Sequence, residues 1–121
     1  MLAYKVFGAG ANSIMVAAIC TDTQSGISAA GTTQATATAL NFADNEVTTV
    51  AAGAGVVLYA SIVPGDSQTV FNAGANALKI YPPLGMNINA LQTNAPMLLA
   101  TNTGCIFKCI TSTRIFGILS A

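Results

Sequence analysis

Histidine and tryptophan are absent from this chain, and charge is scarce: four Lys or Arg and four Asp or Glu among 121 residues, for a net charge of zero. Without histidine there is no imidazole base for a Ser or Cys nucleophile, and the commonest metal ligand is missing. The cations Lys5, Lys79, Lys108 and Arg114 are scattered. Clustered Lys and Arg are what neutralise phosphate, so nucleic acid is not an expected partner. The acids are Asp22, Asp44, Glu46 and Asp66. Asp44 and Glu46 stand two apart and are the one arrangement resembling a carboxylate pair for acid–base work. Their place in a polar connector reads as solvated loop, and Asp22 and Asp66 sit in turn clusters. Cysteine is limited to Cys20, Cys105 and Cys109, an odd number that cannot pair fully within one chain. On an extended segment Cys105 and Cys109 share a face but stand roughly 13 Å apart, too far for a disulfide or one metal, and read as small buried hydrophobes. The sequences Gly8-Ala9-Gly10 and Gly53-Ala54-Gly55 do not complete a phosphate-binding glycine motif. No catalytic, metal or cofactor residue is expected, and an enzyme is the least supported class.

Apolar residues make up 53% of the chain and charged ones 7%, against roughly 25% charged in an ordinary soluble domain. Near-zero net charge favours association, so the composition fits a protein packed against copies of itself or a larger assembly. The length suits one domain over residues 1–121. The uncharged run from Val47 to Val63 holds two glycines and clustered β-branched residues, which makes strand, turn and strand rather than a membrane-spanning helix. Residues 1–20 resemble an export signal only superficially, because Gly8 to Asn12 break the apolar run. They read as an N-terminal arm or first strand.

Short alternating segments with turn signals between them dominate the remainder, and no window has a helical period. The stretch Gly74-Ala-Asn-Ala-Leu-Lys-Ile-Tyr-Pro-Pro83 joins a glycine turn, a strand and a double proline stop. Leu78 and Ile80 face one side and Lys79 and Tyr81 the other, which predicts a core face and a wet face. Proline cannot donate a ladder hydrogen bond, so pairing stops at Pro82 or the strand lies at an edge. Asp22 to Gly26 reads as a turn, Gln34 to Leu40 as a regular strand, and Thr101 to Gly104 as a hairpin-like loop. Strand readings also cover Glu46–Val50, Val56–Ala60, Gln68–Asn72, Ile88–Leu91, Pro96–Ala100, Cys105–Ile110 and Ile115–Leu119. Such spacing indicates a sandwich or barrel. The echo of Ser28-Ala-Ala-Gly31 in Val50-Ala-Ala-Gly53 carries little weight in a chain this rich in Ala and Gly.

The runs Ala29–Ala37, Val47–Val56, Asn72–Pro83 and Ile88–Leu91 resemble a family of small bacteriophage virion proteins, most specifically in the Gly74–Pro83 stretch. The resemblance implies a non-enzymatic capsid cement or decoration protein: a single-domain antiparallel β-sandwich, jelly-roll-like, on the capsid exterior of the virion. Its implied partners are the major capsid protein and itself, as a trimer or alternatively a dimer, with neither nucleic acid nor membrane. Both chain ends depart from the shared pattern, which makes them candidates for this protein's own partner surface. The contact residues expected are Leu2, Val6, Ile14 and Val16 of the arm, Lys79 and Tyr81 of the central strand, and Ile115, Phe116 and Leu119 near the end. The alternative is a tail-fibre or baseplate module that binds a host glycan through Tyr81.

Overall fold

The computed structural model describes residues 22–120, so the Met1 to Cys20 arm, with Leu2, Val6, Ile14 and Val16, lies outside the described residues. Within them the protein is all-β, with ten strands and no helix: β1 Thr23–Ser28, β2 Thr38–Ala39, β3 Asp44–Thr49, β4 Gly55–Val57, β5 Ser67–Asn72, β6 Leu78–Tyr81, β7 Asn87–Ile88, β8 Met97–Leu99, β9 Thr103–Cys109 and β10 Arg114–Leu119. No helix of the described residues is long and apolar enough to cross a membrane.

The strands form two sheets, one in the order β1-β3-β5-β9-β10-β7 and one in the order β2-β4-β6-β8. The first six strands alternate between the sheets, and β1 to β4 each pair in parallel with the strand two places on. Thr23 lies beside Asp44 and Asp44 beside Thr69, so the chain advances one coil every 21 to 25 residues. After the third coil it reverses. Strand β8 returns antiparallel to β6, β9 returns antiparallel to β5, and β10 folds back on β9 as a hairpin. Short β7 runs parallel to β10 at the far edge.

This mixed, β-solenoid-like winding replaces the expected antiparallel, jelly-roll-like order. The reason lies in the connections. Links from β1 to β2 and from β3 to β4 cross from one sheet to the other, so consecutive strands stack in different layers rather than pairing as hairpins. The Ala-Ala-Gly echo is a consequence of that winding: Gly31 and Gly53 occupy the corners that leave β1 and β3, and both take positive φ (75° and 80°). Thr101 to Gly104 is not a hairpin loop: Thr101 and Asn102 are likewise a corner between sheets, since β8 and β9 belong to different sheets, and Thr103 and Gly104 already pair in β9. Asn102 turns it at φ 60°, a conformation Asn adopts more readily than most residues.

Alternation then places the core between the sheets. Val47, Val70, Phe107, Cys109 and Ile115 come from the six-stranded sheet, and Val56, Leu78, Ile80 and Leu99 from the four-stranded one; all are fully or almost fully buried. Three inward positions are polar. Asn45, Gln68 and Asn72 are buried and serve the backbone of the corners, where ladder partners run out. Tyr59 N donates to Gln68 Oε1 at 2.9 Å, and Gln68 Nε2 donates to the carbonyls of Leu40 and Phe42. Asn72 Nδ2 donates to Asn76 O and Leu99 O, and its Oδ1 accepts from Gly74 N. Asn45 Nδ2 donates to Phe42 O and Thr69 O, while Asn45 Oδ1 is buried without a hydrogen-bond partner.

Two local expectations change. Asp22 to Gly26 is mostly strand, because β1 finds a parallel partner in β3, with register shifts around Gly26 that absorb its positive φ of 73°. Of Gln34 to Leu40 only Thr38–Ala39 pairs. The residues before it turn instead, with Thr36 N donating to Thr33 O and the two threonine hydroxyls bonded to each other.

Candidate interaction surfaces

Strand β6 lies between β4 and β8, so the double proline does not blunt a sheet edge; pairing simply ends at Tyr81, the residue before Pro82. Leu78 and Ile80 face the core as the alternation predicts. The opposite face of the strand is not wet. Tyr81 is 5% exposed, and its hydroxyl donates to Thr32 O at 3.0 Å. The 32–37 segment folds over this end of the sheet and is held by Gln34, whose Nε2 donates to Pro82 O and Asn94 Oδ1. Tyr81 is thus corrected from contact residue to buried residue, and its ring is not available to stack on a sugar. Lys79 is half-buried beside exposed Leu98.

Near the C-terminus, β10 alternates in the same manner. Ile115 is fully buried in the core and is also corrected, because its neighbour in register, Cys109, points inward. Phe116 and Leu119 are 42% and 57% exposed. Phe116 lies on the outer face of the six-stranded sheet with Phe71, Ile106 and Ile118, all three also exposed; Ile118 falls in the C-terminal Ile115–Leu119 run expected to make contacts, while Phe71 and Ile106 were not anticipated. The register explains their meeting: Thr69, Ile106 and Ile118 form one row across β5, β9 and β10, and Ser67, Lys108 and Phe116 form the next. Gly104 makes room for Phe71, because a Cβ there would stand 2.7 Å from the phenyl ring. A shallow groove of about 360 Å³ runs along this patch between Phe71, Ile106 and Leu119.

Charge flanks the patch on two sides. Asp44 and Glu46 share the outer face of β3, where they accept hydrogen bonds from Thr23 Oγ1 and Ser25 Oγ. They therefore belong to a strand rather than a connector. Lys108 and Arg114 lie across the patch, with the Arg114 guanidinium 5.7 Å from the centre of the Phe116 ring. Such stacking holds the cation above an apolar surface.

A second apolar surface lies at the opposite layer. A groove of about 280 Å³ is bounded by Ala35, Val57, Tyr59, Pro83 and Leu84. Leu84 is 83% exposed, and Tyr59 43%. The sequence signal for this groove is the small-residue run Ala35 to Ala39, whose side chains leave the floor open.

Among the described residues no three His, Cys, Asp or Glu side chains cluster in a way that could hold a metal. Asp22 accepts from Ala43 N and Asp66 from Val63 N, so each carboxylate ties local backbone. Cys105 and Cys109 are free and buried on the inner face of β9, as their spacing implies. Burial pushes the Cys105 thiol up to about 11, and burial together with the nearby Asp66 carboxylate raises that of Cys109. Compared with protein families, with curated proteins and with solved structures, the chain finds no match in any of the three.

Proposed function

We propose that this protein is a non-enzymatic component of a bacteriophage virion, a cement or decoration protein that binds the outer surface of the capsid and ties neighbouring major capsid protein subunits together. The observation that carries the reading is a charge-poor fold with two separate exposed apolar surfaces, one on the outer face of the six-stranded sheet and one in the groove beside Leu84. A protein with this arrangement can engage a copy of itself and a larger partner at the same time. The family resemblance supplies the kind of partner.

Mechanically the action is burial. A specific contact buries about 1,200–2,000 Å² in total, and repetition over a symmetric shell multiplies weak contacts into tight attachment. In this proposal the Leu84 groove faces the shell, and the arm residues Leu2, Val6, Ile14 and Val16 extend the contact. The tail-fibre reading has less support, since the ring of Tyr81 is covered by the 32–37 segment. The test is particle occupancy. Leu84→Asp places a charge on a side chain that makes little contribution to the core, so it should leave folding intact and strip the protein from capsids. Unchanged occupancy would refute the assignment of the groove. Deletion of residues 1–12 tests the arm in the same assay, with loss of incorporation expected.

A further inference from the structure

The outer face of the six-stranded sheet carries a pattern that a single copy leaves unsatisfied. Its acids lie at one corner, Asp44 and Glu46 on β3; its cations lie at the diagonal corner, Lys108 on β9 and Arg114 on β10; Ile106 lies between them. Within one copy these charges do not meet. Asp44 and Lys108 are two strands and two residues apart, about 12 Å at a strand spacing of ~4.8 Å and a rise of ~3.4 Å. The patch between them is apolar and exposed, with Phe71 and Ile106 nearly half accessible at 47% and 48%.

We propose that this face is a self-complementary interface on which two copies of the chain pair about a two-fold axis passing through Ile106 along the sheet's other diagonal, across the line that joins the acidic corner to the basic one. A two-fold contact requires one patch to be complementary to itself. Register on this sheet meets that condition. Rotation about that axis lays the Asp44/Glu46 corner of one copy over the Lys108/Arg114 corner of the other. It also sets Phe71 against Phe116 of the second copy and brings Ile106 against its own equivalent. The strands of the two sheets then cross steeply, which is the orthogonal class of sheet packing. The footprint is about 20 Å by 20 Å from strand spacing and rise, roughly 800 Å² over the two copies, which is the size of a weak, transient contact. The expected dimer is a weak one, in exchange with monomer. The pairing is independent of capsid binding, and it leaves the Leu84 groove of each copy free.

Charge exchange tests the pairing directly, with the full chain in analytical ultracentrifugation at about 100 mM salt. The wild type should be a dimer at 100 µM and dissociate on dilution, with tenfold or greater weakening in 1 M salt. The variant Asp44→Lys/Glu46→Lys should be a monomer, and so should Lys108→Glu/Arg114→Glu, because each brings like charges together across the axis. Mixed in equal amounts, the two variants should form a heterodimer, since each then offers the charge the other needs. Circular dichroism of each variant separates loss of pairing from loss of fold. A wild type that is monomeric at 100 µM overturns the proposal and leaves the face to another occupant. So do folded variants that each dimerise like wild type, or a folded pair that fails to associate on mixing.

Discussion

Gly74 offers the sharpest test of the coiled winding. It sits at the corner after β5, and a Cβ at this position would stand 2.5 Å from Val50 Cγ2, 2.8 Å from Val50 Cβ and 3.0 Å from Val50 N. Val50 follows β3, so this approach exists only because β3 and β5 run in parallel, one coil beside the next. Gly74 cannot easily move away. Its N–H donates to Asn72 Oδ1 at 2.9 Å and its carbonyl accepts the Thr101 hydroxyl. Inserting a methyl into such a site costs about 1–3 kcal/mol. Against this, Gly→Ala restricts the unfolded chain, which returns about 0.4–1 kcal/mol. Gly74→Ala should therefore destabilise by ~1–2 kcal/mol, a fall in Tm of roughly 4–8 °C for a domain of this size. Val50→Ala alone removes two buried methyl groups and should cost ~2 kcal/mol. The two changes together should cost at least ~1 kcal/mol less than their sum, because the shortened side chain makes room for the new methyl. Urea unfolding of the wild type, both single variants and the double variant measures that coupling. Additive effects within ~0.5 kcal/mol would refute the stacked corner and, with it, the parallel register.

Other expectations follow from single contacts. Gln68→Ala deletes three hydrogen bonds and strands the Leu40 carbonyl and the Tyr59 N–H inside the corner, while Phe42 O keeps its bond from Asn45 Nδ2; a loss of ~2 kcal/mol or more in denaturant unfolding is expected, at about 1 kcal/mol for each group left unpaired. Tyr81→Phe should cost ~1 kcal/mol through the lost bond to Thr32 O, and it should leave capsid occupancy unchanged because the ring is covered. Cys105 has a folded pKa raised from 9.0 to about 11, so its contribution is fully present below pH 9 and is lost as pH rises towards 11, where the unfolded chain ionises first. Stability measured from pH 8 to 11 should fall across that window, and Cys105→Ala should flatten the fall.

Strands with strong alternation were legible from the sequence. Glu46-Val-Thr-Thr, Gln68-Thr-Val-Phe-Asn, Leu78-Lys-Ile-Tyr and Cys105-Ile-Phe-Lys-Cys all form strands with the inner and outer faces that a period of two assigns. Pairing direction was not legible, since alternation is the same in parallel and antiparallel ladders. The 22-residue Ala-Ala-Gly echo was its one trace, and it is indistinguishable from chance in so simple a composition. Tyr81 misleads for a related reason. Its side chain does point away from the core, as the sequence says, but only the folded 32–37 segment determines that this side is covered. Phe71, Ile106, Phe116 and Ile118 lie far apart in the chain, and only the register of β5, β9 and β10 gathers them into a patch. The three inward Asn and Gln side chains were hidden for a different reason: their polarity reads as surface until the corner backbone they serve is known.

Where the protein works is visible on the particle itself. If the proposed function holds, phage particles assembled with an epitope-tagged copy and imaged after labelling with gold-conjugated antibody answer that directly. Binding to the capsid exterior predicts label spread over the head in a regular, high-copy array and absent from the tail. Label confined to the tail tip, or missing from purified particles, would contradict it.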